Sequence, residues 1–109
     1  MPVVIRPDPP LPMSVAIATR VFGSEVLVAL IRHYRESPGP QIEAAQALNL
    51  PPQLISANTR ILINFGVVIG DPPGRGRRAG RYVVDEERVQ LLLAELAAYV
   101  GAGKSDPRT

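Results

Sequence analysis

Apolar positions return at helical spacing in five stretches of the chain, with helix breakers between them. From Glu25 the positions Val26, Leu27, Leu30, Ile31 and Tyr34 recur every three or four residues, and Arg32, Arg35 and Glu36 lie on the other side. That is the period of an amphipathic helix. Ser24 is a suitable N-cap for it, since its hydroxyl can accept from the free amides of the next turn. Upstream, Met13 to Phe22 predicts a short helix with Met13, Ala16, Ile17 and Val21 as its apolar positions, broken by Gly23. Ser37-Pro38-Gly39-Pro40 stops the second helix and turns the chain. Ile42, Ala45 and Leu48 then form a narrow stripe on a two-turn helix whose alanines let another helix approach closely. The corner Leu48-Asn49-Leu50-Pro51-Pro52 leads into a fourth helix over 53–65, and Pro52 suits a first turn, where its missing amide hydrogen costs nothing. In that helix Leu54, Ile55, Ile61, Leu62 and Phe65 are expected to be buried. Gln53, Ala57, Arg60 and Asn64, spaced four, three and four, make the opposite stripe.

After Gly66 the pattern shortens. Val67 to Ile69 and Tyr82 to Val84 are β-rich runs, and the segment between them is too long for a tight hairpin turn. Loops of this kind are usually functional or disordered. Asp85 is a good N-cap, and Glu86-Glu87 place negative charge where the helix dipole favours it. The last helix runs to about Val100 and ends at Gly101. It carries Val89, Leu92, Leu93, Leu96 and Val100 on one face, and Leu91, Ala94, Ala98 and Tyr99 over much of the rest. A helix so nearly apolar all round is expected to be buried on two sides. The second side is expected to be another copy of the chain, with Met13, Ile17, Leu91, Leu92 and Tyr99 at a homodimer interface. The fold class is mainly α with a small β-hairpin. One domain spans 13–100, between a five-proline extended arm at 1–12 and a flexible tail at 101–109.

Composition narrows the functional classes. The 109 residues contain no Cys, which excludes disulfides and thiolate metal sites. No apolar run reaches a membrane-spanning length and no signal-peptide pattern opens the chain, so a cytoplasmic, nucleoid-associated location is expected. The net charge is only +2, but four of the twelve basic residues, Arg75, Arg77, Arg78 and Arg81, fall within seven positions. Local contact with a polyanion needs such a concentration. There is also no acid between Glu43 and Asp71, where a solvated helix face would more usually carry Glu and Lys. A polar, acid-free helix beside a cationic loop points to double-stranded DNA.

The order of helices and hairpin resembles a winged helix-turn-helix, and more narrowly the arsenic-repressor-like (ArsR-type) regulators. The resemblance covers about residues 13–100. It rests on Ser24 to Ile31 in the second helix, Ile42 to Leu50 at the corner, Leu54-Ile55-Ser56 with Arg60-Ile61-Leu62, Phe65-Gly66-Val67-Val68, and Gly80-Arg81-Tyr82-Val83-Val84-Asp85. Asn58 and Thr59 depart from it, since the family usually has His then Leu there. The resemblance implies a homodimer that places two recognition helices in successive major grooves, with the wings on the flanking backbone. In that reading Gln53, Ala57, Arg60 and Asn64 face bases, since Arg pairs with guanine and Gln or Asn with adenine. Ser56 and Thr59 hold phosphates, and Arg75, Arg77, Arg78 and Arg81 hold the backbone or enter the minor groove.

Against these stand plainer readings: an ordinary solvated helix face for the polar stripe and a flexible solvated loop for the arginines. Many relatives of this type sense metals through cysteines or His/Asp clusters, but a single histidine, His33, makes no metal site. It is expected to be solvated or to cap a helix end. No catalytic set assembles from one His and scattered acids, so neither an enzyme nor a bound cofactor is expected. The function expected is a transcriptional regulator of repressor type without a metal switch. The alternatives are a DNA-architectural or partition-type protein on repeated sites, or a winged helix used for protein–protein interaction.

Overall fold

In the computed structural model, which describes residues 5–70 and 80–101, the chain turns through 87° at Gly23 between α1 (Met13–Phe22) and α2 (Glu25–Glu36). Ser24 caps α2 as expected, its hydroxyl accepting from the Leu27 amide at 3.2 Å. α3 (Gln41–Leu48) and α4 (Pro52–Asn64) follow, then β1 (Val68–Gly70), β2 (Tyr82–Val84) and α5 (Glu86–Val100). The described residues are mainly helical, with one small antiparallel sheet. The expected helical domain with a β-hairpin is the observed class.

The corner between α3 and α4 is made by Asn49, which adopts the left-handed conformation at φ 55°. Asparagine tolerates that conformation better than most residues. The Leu50 amide returns to the Ala45 carbonyl at 3.1 Å, so α3 closes before the two prolines begin. Pro51 then serves as the N-cap and Pro52 opens α4. Gly66, at φ 78°, ends the following turn and redirects the chain so that the Val67 amide reaches the Leu62 carbonyl at 2.9 Å.

One core lies beneath these elements. Leu27, Leu30 and Tyr34 of α2, Ile55 and Leu62 of α4, Val67 and Val68 before and in β1, and Leu92 of α5 are all buried in it. α2 is the central element, because its apolar stripe meets α1, α3, α4 and β2. α1 turns inward by Val15, Ala18 and Val21. Only Val21 belongs to the face expected for it, and Met13 is 76% exposed.

The hairpin is held at its root. β1 and β2 pair antiparallel with Val68 opposite Val84, Ile69 opposite Val83 and Gly70 opposite Tyr82. Strand β1 therefore starts one residue later than the run Val67 to Ile69 suggested. Gly39, between α2 and α3, adds a short third rung through two bonds with Tyr82, of 2.8 and 3.2 Å. The Tyr82 ring lies over Gly70, where any Cβ would overlap it. Residues 70–81 were expected to form the wing loop; of these, 71–79 lie outside the described residues.

α5 starts where expected, with the Asp85 carboxylate accepting from the Arg88 amide at 3.1 Å. It packs chiefly against α1, where the Ser14 hydroxyl donates to Glu95 at 3.0 Å. Its first turn is tied to the core by Arg88, which donates from Nε to the Phe65 carbonyl at 2.9 Å. A second tie is the exposed pair between Arg35 and Glu86 at 2.8 Å. No single helix among the described residues is long and apolar enough to cross a membrane.

Candidate nucleic-acid interface

α4 separates its side chains into a buried arc and an exposed one. Ile55, Thr59 and Leu62, at spacings of four and three, are buried. Gln53, Ser56, Ala57, Arg60 and Asn64 are exposed. The structure therefore places the polar stripe expected from the sequence on one open face. Gln53, Ser56, Ala57 and Arg60 gather around one shallow depression. Ser56 and Arg60 also border a second one, completed by Pro40, Gln41 and Ile42 at the start of α3 and by Gly80 and Tyr82 at the root of the hairpin. Arg60 is thus a ridge between the two hollows. Asn64, the last residue of α4, lines neither.

Thr59 is a correction. Expected to hold a phosphate, it is completely buried, and its hydroxyl shares a hydrogen bond of 2.9 Å with the Tyr34 hydroxyl. Tyr34 is itself fully buried. Burial pushes its pKa above the ordinary tyrosine value, the Thr59 bond pulls it back in part, and nearby Tyr82 adds a smaller upward push. Both hydroxyls are therefore neutral near pH 7 and each satisfies the other, as buried polar groups must. The Tyr34 ring also lies 5.7 Å from that of Tyr82, so one side chain connects α2, α4 and the hairpin root. The spacing carried the signal: Thr59 falls four residues after Ile55 and three before Leu62.

This pair yields a stability prediction. Tyr34→Phe leaves the Thr59 hydroxyl buried without a partner and is expected to lower the unfolding free energy by about 1–3 kcal/mol. Thr59→Val should do the same to the Tyr34 hydroxyl. Combined, the two substitutions should lose less than the sum, because removing both polar groups leaves nothing unsatisfied. Urea denaturation of the four proteins checks this; strict additivity would contradict the pairing.

Other expectations also change. Leu54 is 38% exposed rather than buried, and Ile42, assigned to the apolar stripe of α3, is 53% exposed beside Arg60. His33 lies in the last turn of α2, where its carbonyl accepts the Ser37 amide at 2.7 Å, and it is half-buried rather than solvated. Its ring meets Tyr34 edge-on at 5.5 Å, and its Nε2 makes no hydrogen bond among the described residues. Leu92, expected at a dimer interface, is fully buried in its own chain's core, and Ile17 packs partly against that core. Met13, Leu91 and Tyr99 remain open, with Leu93 and Val100 exposed beside them on α5.

The charges sort themselves by role. Arg32 pairs with Glu36 at 3.3 Å and Arg35 with Glu86, while Arg88 is engaged with the Phe65 carbonyl. Arg60 and Arg81 are exposed and form no ion pair among the described residues. Arg75, Arg77 and Arg78 lie outside those residues. The first turn of α3 has no side-chain cap, and its residues Gln41 and Ile42 border the second depression. Gln41 did not stand out in the sequence, and Ile42 stood out only as an apolar position of α3. A separate hollow between α2 and α5, floored by Ile31, Val84, Val89 and Leu93, shares no residue with α4. No group of three or more His, Asp or Glu side chains among the described residues is placed to hold a metal ion. Comparison with models of protein families gives no match, and comparison with curated proteins gives none.

Proposed function

We propose that the chain binds double-stranded DNA sequence-specifically as a homodimer, and acts as a transcriptional regulator of repressor type. α4 enters the major groove, and the segment 70–81 lies on the backbone or in the minor groove. One observation carries this reading: the exposed face of α4 bears hydrogen-bonding side chains and no acid, with Gln53, Ser56 and Arg60 around one hollow and Ser56 and Arg60 also bordering a second at the hairpin root. Phosphates would repel carboxylates on such a face. Arg60 and Arg81 supply cationic charge that no carboxylate among the described residues takes up. Ser56 keeps its expected phosphate contact in this proposal, and Thr59 leaves the list.

The dimer rests on the part of α5 that α1 does not cover. Leu91, Leu93, Tyr99 and Val100 are each 40% exposed or more. Met13 at the start of α1 adds to the same proposal, and Leu92 and Ile17 support the helix from within. The resemblance to arsenic-repressor-like regulators belongs to this proposal, as does activity by binding alone, without metal or catalysis.

Salt dependence tests the electrostatic half of the reading. Binding to a mixed-sequence duplex, followed by fluorescence anisotropy, should weaken steeply as salt rises, because each phosphate neutralised releases counterions. Arg77→Ala should weaken binding to every sequence alike and flatten the log–log salt slope by about one. An unchanged slope would remove the wing from the mechanism.

A further inference from the structure

Of the four side chains that line the depression on α4, one is a methyl group. Ala57 lies exposed within it, and Gln53, Ser56 and Arg60 stand around it. Each of those three can donate a hydrogen bond, whereas Ala57 can make none. Gln53 is one turn ahead and Arg60 one turn behind, so at about 1.5 Å of rise per residue the two reach points roughly 10 Å apart along the helix axis. That distance is roughly three base steps at about 3.4 Å each.

Resting on the entry of α4 into the major groove, we infer that the Ala57 methyl takes the 5-methyl group of one thymine. That thymine lies between the base read from Gln53 and the base read from Arg60. Thymine is the base whose major-groove edge carries an apolar group. A base offering only polar atoms there would have them desolvated against a methyl with no hydrogen bond in return. Leu54 and Ile63 are also exposed on α4, but neither lines the depression. A side chain much larger than alanine at 57, such as leucine, would fill the hollow and hold the helix away from the base edges.

Selection from a random-duplex pool on immobilised full-length chain first gives the preferred half-site. Each thymine in it is then replaced singly with deoxyuridine, which removes the methyl and nothing else, and the dissociation constant is measured by anisotropy. At one position the wild-type chain should lose about fourfold, the worth of one methyl-sized group withdrawn from water. Ala57→Gly and Ala57→Ser should bind the thymine and uracil duplexes equally at that position. The substitution on the DNA leaves the protein's folding untouched, and Ala57→Ser avoids the helix penalty of glycine. A dissociation constant unchanged by uracil at every position, or a loss that persists in both variants, overturns the inference while leaving DNA binding in place. Selection that enriches no sequence overturns sequence-specific binding itself, and the inference with it.

Discussion

Leu62→Ala is expected to lower the unfolding free energy by about 2–5 kcal/mol, the range for emptying a fully buried leucine site. At about 5 °C per kcal/mol for a domain of this size, the melting temperature should fall by at least 10 °C. Leu62 is completely buried and sits in the core with Leu27, Leu30 and Tyr34 of α2 and Val67 at the hairpin root. Its carbonyl also accepts the Val67 amide, so α4 and the turn into β1 share this anchor. The loss should be nearly pure destabilisation: at temperatures where the variant is still folded, any DNA affinity should match the wild type. Thermal denaturation followed by circular dichroism measures it. A change below about 1 kcal/mol would mean that the site collapses around the missing atoms or that α4 is seated differently.

Arg60→Ala should behave in the opposite way. Arg60 is exposed and makes no ion pair among the described residues, so its removal should change stability by no more than about 0.5 kcal/mol. At one operator position it should remove about 1–3 kcal/mol of discrimination, roughly 5- to 150-fold. Comparing wild type and variant on a panel of single-base-pair substitutions checks this. Loss of preference confined to one position fits a guanidinium forked onto guanine. Equal loss across all positions would place Arg60 on the second depression's side, as a residue that only positions the helix on the backbone.

The helices were legible in the sequence because their ends are marked by residues with strong local preferences. Ser24 and Asp85 cap α2 and α5 from side chains three residues away, and Gly23, Pro38 to Pro40 and Pro51-Pro52 punctuate the rest. The exposed stripe of α4 was legible for a related reason: helical spacing alone decides which residues share a face. The features without a local signal depend on partners distant in the chain. Thr59 looks like a surface residue until Tyr34, 25 positions earlier, meets its hydroxyl. Arg88 looks like free charge until the Phe65 carbonyl, 23 positions earlier, accepts from it. Gly39 gives no local hint that its backbone will pair with Tyr82. On α5, an apolar face on both sides of the helix left it open which leucine faces inward, and Leu92 proved to belong to the chain's own core.

Without Thr59, the residues proposed to meet DNA from α4 are Gln53, Ser56, Ala57, Arg60 and Asn64, all on one exposed arc. The second depression adds Gln41 and Ile42 from α3 and Gly80 from the hairpin root, so three elements converge on the flank of Arg60. Tyr34 lies beneath them, against both Thr59 and Tyr82. The relative placement of helix and hairpin is thus set from inside the core.

The central claim is a two-fold reader of DNA, and capture of genomic fragments on the full-length chain, followed by sequencing, tests it most directly. Discrete enriched sites built as inverted repeats are expected, with half-site centres about 10–10.5 bp apart or a multiple of that, as two recognition helices in successive grooves require. Enrichment of tandem direct repeats would instead indicate an architectural role. Recovery of no sequence above a protein-free control would contradict DNA recognition by α4.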